Sequence, residues 1–300
     1  MYDIFLYANP NGYFLEYDSR SSEAPSLLSY FKKHVLRSKV KVRDVTEEYD
    51  VWSAWGAPED SSFEMKRSWR HAASGVIEPV WNPSEVWPWG TEENIIYDRR
   101  GAGMGRRLLL RKGDKPLSSS HDILSSDEYK LHRILHGIPE GISDIVPMHS
   151  FPMDSNLDVM GGIDYRKGCY VGQELTVRTY HTGVIRKRIL PIRISSSSDS
   201  SMPSQELPED LDVKPVAVSS GERTGPKPRG SGKLLSNTQG VGLALLRLEH
   251  VSALQNGQLG LRIEHTDSSG SIRSYNVEPW WPAWWPPEPE PTAQENHEAS

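Results

Sequence analysis

The stretch K-G-C-Y-V-G-Q-E, residues 167–174, holds the one cysteine of a 300-residue chain. A cysteine does chemistry as its thiolate, which a nearby cation or converging backbone N–H groups stabilise. Lys167 supplies a cation two positions before Cys169, and Gly168 and Gly172 permit tight turns that expose N–H groups. Gln173 and Glu174 add an amide and a carboxylate within one turn. Between positions 166 and 193 stand seven Lys/Arg residues and one acid, Glu174, in a chain of net charge -6. Such a run suits an anionic ligand or an acidic partner surface. A second reading stays open: a lone cysteine also serves as a small buried hydrophobe, and the cations as a solvated strand face. No histidine or aspartate stands beside Cys169 to complete a nucleophilic pair, and His181 reaches it only through folding.

Two further groupings could carry chemistry. His132 and His136 lie at i, i+4 of a predicted helix, a spacing that can hold a metal, but no adjacent glutamate completes a zinc-protease pattern. A solvated helix face is the preferred reading, and no metal-binding residue is assigned. Arg99 and Arg100 precede Gly101-Ala102-Gly103-Met104-Gly105, which could cradle a phosphate. The strand–loop–helix context of a phosphate loop is missing, so a flexible turn is expected.

The elements that must position these residues show local signals. Residues 2–7 and 13–17 are β-rich runs around Asn9-Pro10-Asn11-Gly12, a hairpin signal. Ser26 can cap a helix reaching about Ser38 with Leu28, Phe31 and Val35 on one face, and residues 39–44 alternate like a strand. Residues 52–90 carry six of the ten tryptophans, and a large irregular loop anchored by aromatics is expected. A Trp-lined ligand wall is the alternative. Ser125 and Glu128 form the pattern of a capping box for a helix to His136, which Gly137 ends. Residues 195–231 are low in complexity and are expected to be a disordered insertion. After them, 232–236 and 241–248 read as strands across a turn at 237–240, and 259–264 and 271–277 add two more. That succession predicts a small β-barrel or sandwich. Trp280-Trp281-Pro282-Ala283-Trp284-Trp285-Pro286-Pro287 opens a Trp/Pro tail that turns acidic, either a partner-binding anchor or a segment partly docked and fraying.

Composition narrows the classes. Hydrophobic residues are 36% and charged residues 25%, a globular balance with room for disordered sequence. Nothing marks the whole chain as a nucleic-acid binder, and no run approaches a membrane span of roughly 20 apolar residues. One cysteine excludes an internal disulfide, in keeping with a reducing compartment. It also excludes a self-contained four-cysteine zinc site or iron–sulfur cluster. No leader precedes the strand-like start, which fits a cytosolic protein or a chain lacking its true start.

The octapeptide, followed by Leu175-Thr176-Val177-Arg178 and Gly183-Val184-Ile185-Arg186-Lys187-Arg188, resembles the folate-binding YgfZ-like family, relatives of the glycine-cleavage aminomethyltransferase. Gly141-Ile142 with Asp144, and Pro152-Met153-Asp154-Ser155-Asn156-Leu157-Asp158, resemble upstream family segments. Residues 232–236 and 242–247 resemble its C-terminal barrel pair. The resemblance covers most of 1–50, 94–194 and 230–280.

The resemblance implies an α+β fold: domains ringed around a folate-sized central hole, plus a C-terminal β-barrel. The expected division is 1–180 for the folate-binding region, 181–280 for the barrel with its insertion, and 281–300 for a disordered tail. It implies a factor that matures [4Fe–4S] proteins in the mitochondrial matrix with A-type iron–sulfur scaffold proteins and client proteins as partners. It gives Cys169 and Lys167 the central roles, with a transient iron–sulfur species shared through Cys169. Tetrahydrofolate is the implied cofactor, with Asp3, Asp154, Tyr170, Gly172, Gln173, Glu174 and Arg178 as its binding residues. The alternative is a tetrahydrofolate-dependent aminomethyl or one-carbon transferase. Two departures bear on it. Asp154 stands where the family has glutamate, a difference of about 1.5 Å in reach. Tyr2 replaces one acid of the transferases' aspartate pair, leaving Asp3. The start of the chain falls inside the family's first domain, so a truncated N-terminus is expected.

Overall fold

The computed structural model describes residues 1–57, 67–82, 89–90, 92–117, 122–203, 205–217, 230–267 and 270–287. The chain opens with a hairpin, β1 (Phe5–Asn9) and β2 (Gly12–Glu16), turning at Pro10-Asn11 as its sequence predicts. Helix α1 (Leu27–His34) follows, and Ser26 Oγ accepts the Ser29 N–H at 3.3 Å as its cap. It ends four residues earlier than expected. Residues 39–44 form no strand: Val40 is exposed and, among the described residues, no strand pairs with them, so their alternation has no face to bury.

Residues 52–54, 68–71 and 77–80, within the stretch 52–90 expected to be an irregular loop, are strands. β3 (Tyr49–Ala54), β6 (Ile95–Tyr97) and β7 (Arg106–Arg111) form a three-stranded antiparallel sheet in the order β3-β7-β6. β4 (Ser68–His71) and β5 (Ile77–Val80) form a separate hairpin. Trp87, with residues 58–66 and 83–88, lies outside the described residues. The glycine cluster 101–105 is a turn, with Gly101 and Met104 buried and Gly103 exposed.

Helix α2 (Ser126–Leu135) occupies its predicted place. The capping box does not form. Ser125 makes no side-chain cap, and the Glu128 N–H goes to the Ser125 carbonyl instead. Its C-terminus follows the predicted logic. Gly137 takes φ 69°, its N–H donates to the Ile134 carbonyl, and the Ile138 N–H donates to the Arg133 carbonyl. These are the two bonds of a Schellman motif. The short α3 (Gly141–Asp144) and α4 (Gln173–Thr182) complete the first region.

The remainder is a closed antiparallel barrel of six strands in the order β10-β11-β8-β13-β12-β9. They are β8 (Lys187–Ser196), β9 (Asp212–Ala217), β10 (Gly232–Thr238), β11 (Val241–Arg247), β12 (Leu259–Thr266) and β13 (Ile272–Pro279). Helix α5 (Leu248–Gln255) adds Val251 to the barrel's core. Period-two alternation sorts the side chains. Leu190, Ile192, Leu234, Ala244 and Leu246 fill the interior, while Ile189, Leu235 and Leu243 face outward onto Ile134 of α2. The molecule is therefore α+β with a C-terminal barrel, as the sequence implies.

Two expectations of disorder are corrected. β9 lies inside the supposed insertion 195–231, with Val213 sealed between β10 and β12. Only barrel closure gives that polar, proline-bearing strand partners on both edges. Within that insertion, residue 204 and residues 218–229 lie outside the described residues. The first part of the Trp/Pro tail is docked. Trp284 Nε1 donates to the His136 carbonyl at 2.8 Å, and Trp284 packs with Met104, Ile138 and Met160. Residues 288–300 lie outside the described residues.

Candidate functional site

Cys169 sits exposed on the loop leading into α4. Gly172 is the N-cap of that helix and takes φ 87°, a left-handed conformation that glycine adopts freely. The Tyr170 N–H donates to Gln173 Oε1 at 3.1 Å, closing the loop on the first turn of α4. Lys167 Nζ lies 4.0 Å from the centroid of the Tyr170 ring, so its charge is engaged by that π face. Glu174 and Arg178 are exposed on α4. One loop and one helix thus gather Lys167, Cys169, Tyr170, Gly172, Gln173, Glu174 and Arg178.

The basic run around this loop is weaker in space than in sequence. Arg166 Nη2 pairs with Glu78 at 2.9 Å, and Arg188 is buried on Asp158. Distant acids therefore neutralise part of a charge that looked uncompensated locally.

Asp3 and Asp154 belong to other settings. Asp3 Oδ2 accepts the Gly141 N–H at 3.0 Å, Asp18 Oδ2 accepts the Ile142 N–H at 3.0 Å, and Asp144 Oδ2 accepts the Glu140 N–H at 3.0 Å. Three carboxylates thus satisfy three successive donors at the start of α3. Burial raises the Asp3 carboxyl above its ordinary range, against the Gly141 N–H bond that lowers it. Asp154 is half-buried beside β8, where its carbonyl accepts the Ile189 N–H at 3.1 Å. Burial raises its carboxyl too, opposed by the charges of Lys187 and Arg188.

A cavity of about 1390 Å³ lies along β3 and β7, lined by none of the nine residues singled out from the sequence. Asp3 adjoins it through Glu140, which lines one end. There Tyr7 OH donates to Glu16 at 2.6 Å, and Arg107 forms an ion pair with Glu16. Tyr129 OH donates to Glu140 Oε2 at 2.7 Å, and Arg100 Nη2 approaches the same oxygen at 2.7 Å. Burial alone would raise the Glu140 carboxyl, but the Arg107 and Arg100 guanidiniums hold it below the usual carboxylate range. Trp52 and Trp55 form an aromatic wall, and Arg106 and Lys115 add cations. Of the tryptophans in the stretch 52–90, Trp52 and Trp55 line this cavity.

Sequence reasoning missed Glu16, Arg107, Tyr129 and Glu140. One signal was available: Arg107 shares the buried face of β7 with Leu109, and a guanidinium on a core-facing position requires an acid.

The histidine pair is packed rather than solvated. His132 stacks on Trp55 with ring centroids 4.5 Å apart, and its Nε2–H donates to the Gly103 carbonyl at 3.1 Å. Burial, with the neighbouring His136, lowers the His132 pKa from 6.5 to about 4. The folded chain therefore binds fewer protons than the unfolded chain between these values. Stability from this group is complete above pH 6.5 and is lost as the pH falls toward about 4. Melting His132→Gln and the parent near neutrality and again at about pH 4.5 tests this. The variant's midpoint should fall less on acidification, and equal falls would show that His132 carries none of the acid sensitivity. Among the described residues, no cluster of three His, Cys, Asp or Glu side chains could hold a metal ion, and no helix is long and apolar enough to cross a membrane.

Residues 186–287 match a family model described as the C-terminal beta-barrel domain of CAF17. The chain is 43% identical to the mitochondrial iron–sulfur cluster assembly factor IBA57 homolog of Cryptococcus neoformans var. neoformans serotype D (strain JEC21), over 80% of this chain and 68% of that relative. It is 34% identical to the homolog of the same name from Mycosarcoma maydis, over 98% of this chain and 73% of the relative. The homolog from Coccidioides immitis (strain RS) is 38% identical, over 79% of this chain and 54% of the relative.

Proposed function

The chain belongs to the family of IBA57 mitochondrial iron–sulfur cluster assembly factors, and we propose that it works in the mitochondrial matrix on the maturation of [4Fe–4S] proteins. The observation that carries this reading is the placement of Cys169, the one thiol of the chain, exposed on a loop locked to α4. An exposed thiol can offer its sulfur to iron without rearrangement of the fold. One thiolate cannot hold a cluster, so the remaining ligands of the cargo come from a partner, an A-type scaffold protein in this reading, before the cluster passes to a client.

Tetrahydrofolate is assigned to the cavity along β3 and β7. Trp52, Trp55 and Tyr129 would hold its rings, and Arg106 and Lys115 its carboxylates. Bound there, it would supply a reduced pterin able to carry one-carbon units. The unlike walls support this assignment: aromatic faces for the ring system and cations for the tail.

The test replaces Cys169 with serine in cells that depend on this protein. Serine keeps size and polarity but removes the soft ligand. Activity of [4Fe–4S] enzymes in isolated mitochondria should collapse while the variant accumulates to normal levels. Full [4Fe–4S] enzyme activity with Cys169→Ser would end the ligand role.

A further inference from the structure

Glu78 lies on β5 and is 3% exposed, so its carboxylate requires partners where it sits. They come from the two ends of the cysteine loop and its helix. Arg166, immediately before the octapeptide, donates from Nη2 to Glu78 Oε2 at 2.9 Å and from Nη1 to Oε1 at 3.4 Å. Tyr180 OH, in the last turn of α4, donates to Oε1 at 3.1 Å. Arg70 of β4 stands 4.0 Å from the same oxygen. The β4–β5 hairpin also holds the chain beyond α4, where the Ile185 N–H donates to the Ser74 carbonyl at 2.8 Å. The rings of Tyr165 and Tyr180 close the base of the loop, 4.4 Å apart. Within the loop the polar contacts are local: Tyr170 bonds to Gln173, and Lys167 lies over the Tyr170 ring. Among the described residues, Tyr180–Glu78 is the one hydrogen bond or ion pair that ties residues 167–184 to another part of the fold.

We propose that Glu78 is a positioning residue for Cys169: it fixes both ends of the loop and α4 on the β4–β5 hairpin, so that the thiol is presented in one orientation. The inference rests on the ligand role proposed for Cys169 and adds the residue that aims it. A sulfur shared with a partner must meet iron at a set distance and angle. A loop already held in place avoids the ordering cost that a wandering loop carries into each encounter. The fork of Arg166 on a buried carboxylate supplies direction as well as attraction.

Cys169 is the one thiol of the chain, so a methanethiosulfonate nitroxide labels that position alone. Electron paramagnetic resonance spectra of the labelled parent, Glu78→Gln, Arg166→Gln and the double variant read the motion of the loop. Glutamine at position 78 keeps the size and still accepts from Tyr180, but drops the charge that holds Arg166. Both single variants should shift the spectrum toward its mobile component. The double variant should move it no further than the larger single, because the two residues act as one contact. In cells, [4Fe–4S] enzyme activity should fall roughly 10-fold with Glu78→Gln at normal protein levels, since misplacement by about 1 Å is that costly or more. A lower thermal midpoint with an unchanged spectrum would show a merely structural role and overturn the proposal. A mobile loop with full enzyme activity would overturn it as well. Arg166→Gln alters a side chain that is 58% exposed, so it decides the matter even where Glu78→Gln fails to fold, and an unchanged spectrum there also overturns the proposal. Full activity of Glu78→Gln beside an inactive Cys169→Ser would remove Glu78 alone. Full activity of Cys169→Ser would end the ligand role and this inference with it.

Discussion

Asp158→Ala is expected to destabilise the folded chain by about 3–5 kcal/mol, the cost of removing one partner of a buried ion pair. Asp158 and Arg188 are both sealed from solvent, and Arg188 Nη1 and Nη2 lie 2.5 and 2.9 Å from the two carboxylate oxygens. The same guanidinium donates to the carbonyls of Met153 at 2.7 Å and Gly75 at 3.0 Å. Asp158 Oδ2 also accepts the Ile77 N–H at 3.1 Å. One pair therefore joins the β4–β5 hairpin, the turns at 152–162 and barrel strand β8. Alanine strands a guanidinium in the interior with no counter-charge. The double variant Asp158→Ala, Arg188→Met removes both desolvation costs and should recover much of the loss. Urea unfolding of the parent, the single and the double variant decides the matter. A double variant no more stable than the single would refute the uncompensated-charge explanation and point to lost packing instead.

Gly105→Ala should be the other severe change. Gly105 takes φ 75°, and a Cβ there would lie 2.0 Å from the Ala54 carbonyl oxygen and 2.9 Å from the Trp55 Cα. Both are backbone atoms of the strand and its extension that line the cavity, so no side chain can rotate away. The left-handed backbone alone costs a non-glycine residue about 1–2 kcal/mol. Overpacking against fixed atoms adds about 1–3 kcal/mol or more. Gly113 provides the control, with φ 84° and nothing within 4 Å of its Cβ. Gly113→Ala should show the conformational cost by itself. Thermal midpoints should fall in the order parent, Gly113→Ala, Gly105→Ala. Equal falls for the two glycine variants would show that the end of β3 yields freely to the added methyl group.

Function and stability meet in these two places. The ion pair anchors the segment that precedes the cysteine loop to the barrel. The glycine lets β7 and the end of β3 approach closely enough to form one cavity wall. Neither residue carries the chemistry, yet each positions groups that do.

The amino-acid sequence alone determined what is local. Asn9 to Gly12 specified the first hairpin, Ser26 capped α1, and Gly137 stopped α2 through a left-handed turn. Period-two runs marked β10 to β13, because alternation requires only neighbours along one strand. The octapeptide around Cys169 carried the family resemblance that the relatives bear out. Tertiary structure decided the rest. β9 gains its order from pairing with β10 and β12, which lie further along the chain, and Trp284 docks at the end of a helix 148 residues away. Asp3 caps α3, His132 is packed under Trp55, and Arg166 and Arg188 lose their free charge to Glu78 and Asp158. The cavity draws on β2, β3, β7, α2 and the turn before α3, so no sequence window contains it. Hydrogen-bond caps, turns and periodicity act over a few residues, whereas burial and charge pairing depend on which distant segments the fold brings into contact.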